Sequence, residues 1–187
     1  MDDWRRAKPS HKVRHRPEAY TRLVCEALKI AVGRIVEVGV FRGEGAERWR
    51  ANFPGARLWL VDVWAKLREG GPMNRRHGDV GMNSIYLGLC RKYRDDKRTR
   101  LIRALSWEAA DVFPDGYFDV VYIDADHTRE AVRKDIDAWL PKVRQGGLIG
   151  GHDYERRRCH QVREVVDDIF GDDIIVGTHH CWLHLVR

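Results

Sequence analysis

The residues best suited to chemistry are carboxylates that stand where buried apolar runs stop. Glu37 lies near the end of Arg34–Val40, Asp62 near the end of Arg57–Trp64, Asp124 in Tyr117–Ala125, and Asp153 just past Leu148–Gly151. Glu37 interrupts a β-branched run of Ile35, Val36, Val38 and Val40. A carboxylate there is costly unless something cationic or hydrogen-bonding meets it. Gly39, Gly43 and Gly45 follow, leading into the amphipathic stretch Ala46–Ala51. Glycines at such a turn let a ligand approach the backbone, and a helix N-terminus offers free N–H groups to an anion. A ligand with both an ammonium and a carboxylate would satisfy both features. Asp62 comes about twenty residues after the glycines, where an acid takes the ribose hydroxyls of a nucleoside in doubly wound folds. The plain alternative is a tight turn without a ligand. The spacing G-x-x-x-G-x-G also differs from the dinucleotide fingerprint, which argues against a nicotinamide-dependent oxidoreductase.

Asp124 and Asp153 end runs expected to be neighbouring strands, so their carboxylates are expected close together. Like charges so placed resist joint ionisation unless a cation lies between them. Two readings stay open: a divalent metal between the acids, or Asp124 bonded to a cofactor or to backbone N–H groups with no metal. Oxygen ligands suit Mg²⁺ or Ca²⁺, and His152 widens the choice to Mn²⁺ or Zn²⁺. His127, three residues past Asp124, has a side chain whose ordinary pKa suits taking a proton from a hydroxyl. The alternative for His127 is an exposed or capping histidine. His179, His180, Cys181 and His184 form a second cluster. On a strand, His180 and His184 share one face and Cys181 the other, so a structural role is favoured there.

These groups need elements to hold them. A helix is expected from Pro17 to Gly33, with Tyr20, Val24, Ala27, Leu28 and Ala31 on one face. The strand Arg34–Val40 follows, then a helix over Gly45–Ala51, a turn over Asn52–Gly55 and the strand Arg57–Trp64. Lys66–Gly81 has no clean period and reads as a long loop, either a lid or irregular surface. Asn83–Tyr93 has helical spacing. A third strand spans Thr99–Leu105, and Ser106 is the expected cap of a helix. The fourth strand, Tyr117–Ala125, precedes an amphipathic helix over Thr128–Leu140. Gln145–Gly147 turns into a fifth strand over Leu148–Gly151, and Gln161–Phe170 is a further helix. Ile174–Val176 and Cys181–Val186 lie too close for a crossover and must form a hairpin. The alternation of strands and helices gives an α/β fold, a single doubly wound Rossmann-like domain with a mostly parallel sheet and an antiparallel C-terminal hairpin.

The chain has 187 residues, 43% hydrophobic and 33% charged, which suits one globular domain rather than disorder. No apolar run approaches a membrane span and no signal-peptide pattern opens the chain, so a cytoplasmic location and no membrane partner are expected. Four cysteines without a C-x-x-C pair fit reduced thiols. The net charge of +6 is partly local: Trp4–Arg16 has six Lys or Arg and two His with no acid. Residues 1–16 therefore read as a basic tail ahead of a domain spanning 17–187. The competing function is a nucleic-acid-binding or anionic-substrate protein that uses this arm, with or without an enzymatic activity. Aromatic interleaving beyond Trp4 is missing from the arm, which disfavours nucleic acid.

VEVGVFRGEGA, LVDVW and above all YIDADHTREAVRKDIDAWLPKVRQGGLIGGHDY resemble class I S-adenosylmethionine-dependent methyltransferases. The nearest resemblance is to the small-molecule O-methyltransferase group that includes macrocin O-methyltransferase and the cephalosporin hydroxylase-like proteins. It covers Pro17 to the C-terminus and is most specific over Asp124–Tyr154. The resemblance implies a seven-stranded sheet of order 3-2-1-4-5-7-6 and S-adenosyl-L-methionine as cofactor. It implies that Glu37, Gly39 and Gly43, with Val40, cradle the methionine end. Asp62, with Val63, would hold the ribose, and Ser106 with Trp107 would border the adenine, with Asp124 beside the cofactor. In metal-dependent relatives, acids matching Asp124 and Asp153 hold Mg²⁺ or another divalent cation. Those relatives place a lysine base where this chain has His127, and a different neighbour where it has His152. The residues expected to carry the catalysis are His127, Asp124 and His152. No Asn/Asp-Pro-Pro-Tyr/Phe segment follows the fourth strand, so oxygen of a small hydroxylated substrate is the expected acceptor. Assembly as a homo-oligomer is left open by the sequence.

Overall fold

The computed structural model describes residues 16–65, 72–155 and 159–187, with the side chains of 72–80 outside the description. The basic run before residue 16 lies outside the described residues. Strand β1 (Arg34–Val38) is central, because its β-branched residues are buried from both sides. It pairs in parallel with β2 (Arg57–Asp62) and with β4 (Phe118–Ile123). Strand β3 (Thr99–Arg103) extends the sheet beyond β2, and β5 (Val143–Gly151) lies beside β4. The antiparallel β7 (Trp182–Leu185) and the short β6 (Ile175–Val176) complete it. The order of the seven strands is β3-β2-β1-β4-β5-β7-β6, as the resemblance implies.

Alternation along each strand feeds two cores. Ile35, Leu58, Leu60, Val120 and Leu148 face helices α1 (Pro17–Ala27), α2 (Glu44–Asn52) and α3 (Pro72–Lys92). Val36, Val38, Val61, Val121 and Ile149 face α4 (Ser106–Ala110), α5 (Arg129–Trp139) and α6 (His160–Phe170). A strand's period of two therefore sends Glu37 to the same side as Ile35, toward α1 and α2. None of the described helices is long and apolar enough to cross a membrane.

Five local expectations differ from the fold. The helix expected to run to Gly33 ends at Ala27, where the chain turns and Lys29 takes φ 57°. The loop expected over Lys66–Gly81 is in part helix, since α3 already begins at Pro72. Gly78 and Gly81 each cost a helix about 1 kcal/mol, but Pro72 suits a first turn and Met82 and Leu89 anchor the helix in the core. The remainder, 66–71, lies outside the described residues. Ser106 is the first residue of α4 and caps nothing; Leu105 holds the cap position. Strand β5 starts at Val143, ahead of the expected turn, with a register shift absorbed opposite Phe118–Val120. Finally, Thr178–His180 form a 3-10 turn in which His179 and His180 take φ of 55° and 60°, so the last strand begins only at Trp182.

Candidate active site

The carboxyl ends of β1, β2, β4 and β5 bring the sequence's acids to one edge. Gly39 leaves β1 at φ 92° and sits so near the next loop that a Cβ there would collide with the Asp124 carbonyl. The Gly39 amide donates to Val61 O at 2.8 Å, and the Asp124 amide donates to Val38 O at 2.7 Å. Helix α2 follows Gly43, which takes φ 79° and provides no side-chain cap. The first turn of α2 therefore keeps the character of an anion site. Glu37 reaches this turn: a Cβ on Gly45 would strike its Oε1. Glu37 is 6% exposed and its Oε2 is buried without a hydrogen-bond partner. Burial, then the Glu18 carboxylate, push its pKa well above the ordinary value. Val40 is buried beside it, Val63 half-buried.

Asp62 has a structural task in its place at the end of β2. Its Oδ2 accepts from the Phe41 amide and its Oδ1 from the Trp64 amide, both at 2.8 Å. The Trp64 indole donates to Phe41 O at 2.9 Å. Phe41 and Trp64 hold φ of 49° and 39°, a costly region for bulky residues that Asp62 secures on both sides. Each carboxylate oxygen keeps a further lone pair, so ribose hydroxyls remain acceptable donors.

Ser106 and Trp107 open α4 beyond β3. Ser106 Oγ accepts from the Trp139 indole at 2.9 Å, and the Lys134 ammonium lies 5.2 Å from the Trp107 ring centre. Asp135, on the buried side of α5, also bonds Ser106; burial raises its pKa to about 7.

The acids after β4 and β5 meet around two histidines. His127 Nε2 lies 2.9 Å from Asp153 Oδ2 and 3.6 Å from Asp124 Oδ1. His152 Nδ1 lies 3.2 Å from Asp153 Oδ1 and 3.8 Å from Asp124 Oδ1. Asp124, His152 and Asp153 offer ligand atoms that all lie within 4.8 Å of one another, as do His127, Asp153 and Cys159. Asp153 is nearly fully buried at φ 62°. The neighbouring Asp124 and Asp153 carboxylates raise the His127 pKa to about 9, and the two histidines hold the Asp153 carboxyl far below its usual range despite its burial. The near-neutral titration expected of His127 is thus displaced, and at neutral pH it carries its proton. A protonated His127 places positive charge beside both carboxylates, the electrostatic relief that close like charges call for.

The structure therefore gathers Glu37, Gly39, Gly43, Asp62, Asp124, His127, His152 and Asp153 along one edge, with Ser106 and Trp107 past β3 on the same side. His184 is not among them; its Nδ1 contacts Asp173 O at 2.7 Å, and Cys181 is fully buried. Among the described residues, no cluster able to hold a metal includes 179–184. Sequence reasoning missed Glu18 and Arg48, which lie beside Glu37; Arg48 Nε donates to Glu18 Oε1 at 2.9 Å. An acid after a proline at a helix start reads simply as a dipole partner, and no pattern in the sequence ties it to Glu37. The orphaned Glu37 oxygen, the uncapped α2 turn and the glycines without Cβ fit the ammonium and carboxylate of S-adenosylmethionine's methionine end.

Comparisons with known proteins bear on the family and the fold. The profile of a family described as a methyltransferase domain matches residues 36–154, more than half of the chain. No curated protein sequence matches. Among solved structures, the O-methyltransferase NovP superposes with a TM-score of 0.64 at 17% identity, over 87% of this chain and 75% of that one. The S-adenosylhomocysteine-bound Podospora anserina methyltransferase PaMTH1 gives a TM-score of 0.64 at 13% identity, over 98% and 86%. CalS11, a TDP-rhamnose 3′-O-methyltransferase of calicheamicin biosynthesis, gives 0.60 at 14% identity, over 92% and 81%. At such identities the likeness is one of fold.

Proposed function

The chain belongs to the methyltransferase domain family and is an S-adenosylmethionine-dependent methyltransferase, and from that premise we propose that it methylates a hydroxyl oxygen of a small molecule. The observation that carries the reading is the Asp124–His127–His152–Asp153 cluster, set directly against the Gly39 turn of the donor site. Two of the similar solved structures are O-methyltransferases by name, one acting on a sugar hydroxyl, which supports oxygen as acceptor.

When bound, the donor supplies a methyl group already electrophilic on a sulfonium sulfur, so the protein's work is orientation and proton removal. Glu37 and the first turn of α2 would hold the methionine end, Asp62 and Val63 the ribose, and Ser106 with Trp107 the adenine. The acceptor hydroxyl would enter at the cluster and pass its proton to the Asp124 carboxylate. The neighbouring His127 imidazolium faces the oxygen that becomes negative and stabilises it electrostatically. His152 and Asp153 keep that imidazolium and carboxylate in place.

Asp124, His152 and Asp153 would also hold a divalent cation. Their mixed nitrogen and oxygen donors suit Mn²⁺ or Zn²⁺ as well as Mg²⁺, and such an ion would lower the pKa of a hydroxyl bound to it. The test is calorimetric titration with S-adenosylhomocysteine, followed by turnover of S-adenosylmethionine with a panel of catechols, flavonoids and nucleotide sugars, before and after metal removal. Folded protein that binds no S-adenosylhomocysteine overturns the donor site. Methylation of amines alone overturns the choice of oxygen. Full turnover after chelation removes the metal from the mechanism.

A further inference from the structure

The α1–α2 face of the donor site holds more buried carboxyl oxygens than the fold itself uses. Glu37 points to this face because it shares the side of Ile35 on β1. The first turn of α1 delivers Glu18, 3% exposed, to Arg48 on α2, one turn along from the Gly45 that Glu37 touches. Glu18 Oε1 pairs with Arg48 Nε at 2.9 Å, tying α1 to α2, and Arg48 keeps a side chain that is 38% exposed. Glu18 Oε2 is buried without a hydrogen-bond partner, as is Glu37 Oε2. One tie between helices needs only one oxygen. The second oxygens of two adjoining acids have lost water and gained nothing, a costly state for a folded chain.

A cationic group between them removes that cost. It is unlike a metal ion site: among the described residues, the clusters able to converge on a metal contain neither Glu18 nor Glu37. An ammonium fits better, since it carries three donors and needs separate acceptors around it. Resting on the donor-binding reading above, we propose that Glu18 is a second carboxylate of that site and, together with Glu37, takes the α-ammonium of the donor's methionine end. The first helix is then part of the donor site as well as a cover for the sheet. Arg48 holds Glu18 by one oxygen and leaves the other for the ligand.

The experiment compares S-adenosylhomocysteine with its deaminated analogue, which lacks only the α-amino group, by calorimetry on the whole chain. The wild type is expected to prefer the amine-bearing ligand. In Glu18→Gln, S-adenosylhomocysteine is expected to weaken by about tenfold, the scale of one charge-assisted hydrogen bond, while the analogue binds as before. A parallel loss of both ligands, or a loss of neither, overturns the proposal and leaves the donor site standing. Should Glu18→Gln fail to fold, Glu37→Gln decides: a retained preference for the amine supports Glu18, and a vanished preference overturns it. A folded wild type that binds neither ligand overturns the donor-binding reading, and this inference falls with it.

Discussion

His127 Nε2 lies 2.9 Å from Asp153 Oδ2, so a residue from the turn after β4 is tied to a buried acid after β5. The pair explains how two neighbouring strand ends can each carry an aspartate. It also makes the site sensitive to pH. The folded-state pKa of His127, about 9, exceeds its ordinary 6.5. The stability this contributes is therefore fully present below pH 6.5 and is lost as pH rises through 9. Urea midpoints of the wild type should fall across that window, and His127→Gln should flatten the decline. Equal slopes for the two proteins would mean that the ion pair does not form. Asp153 acts in the opposite sense: its depressed pKa lends stability that is lost only under acid conditions.

Asp62 is expected to serve twice, and its variants should separate the tasks. Asp62→Ala removes the acceptor of the Phe41 and Trp64 amides, two residues in left-handed conformations. A stability loss of about 1–3 kcal/mol is expected, the cost of stranded buried donors. Affinity for S-adenosylhomocysteine should fall by a similar amount. Normal ligand binding in a destabilised Asp62→Ala protein would confine the residue to the latch and remove it from the ribose.

Asp135 gives a second pH effect of different origin. Burial raises its pKa from 3.8 to about 7, against the hydrogen bond from Ser106. A raised acid favours the folded state while protonated, so its contribution is complete below pH 3.8 and disappears as pH rises through 7. Asp135→Asn keeps an acceptor for Ser106 without the charge. Above pH 7 it should be more stable than the wild type by roughly 1–3 kcal/mol, the scale of an unsatisfied buried polar group. Denaturation at matched pH values checks this, and a variant less stable than the wild type above that pH would refute it.

Asp119 supplies the contrast from the amino ends of the strands. Its Oδ2 accepts from the Gly33 and Arg34 amides at 2.8 Å each, and its Oδ1 from Arg144 Nε at 2.5 Å. These bonds join the entry to β1 with β4 and β5, far from the ligand edge. Asp119→Ala should lose about 1–3 kcal/mol of stability with S-adenosylhomocysteine affinity unchanged. A selective loss of affinity in this variant would show that the two edges are coupled.

The sequence by itself determined the strands and the acids at their ends. Ile35–Val38, Leu58–Val61 and Val120–Ile123 are legible because a strand buried from both faces must be continuously apolar, and such strands carry their ligands at one edge. Glu37, Asp62, Asp124 and Asp153 follow from where those runs stop. Only the tertiary structure decided what each acid meets. Glu18 reaches Glu37 through the packing of α1 on α2, Ser106 receives the Trp139 indole instead of capping its helix, and His127 meets Asp153 from the loop after β5 in addition to its sequence neighbour Asp124. The helical start at Pro72 likewise depends on packing that offsets its glycines. Local pattern governs which segments become strands, because burial and pleat impose a short period. Charge, protonation and hydrogen-bond partnership depend on groups distant in sequence and adjacent in space, and no local pattern encodes them.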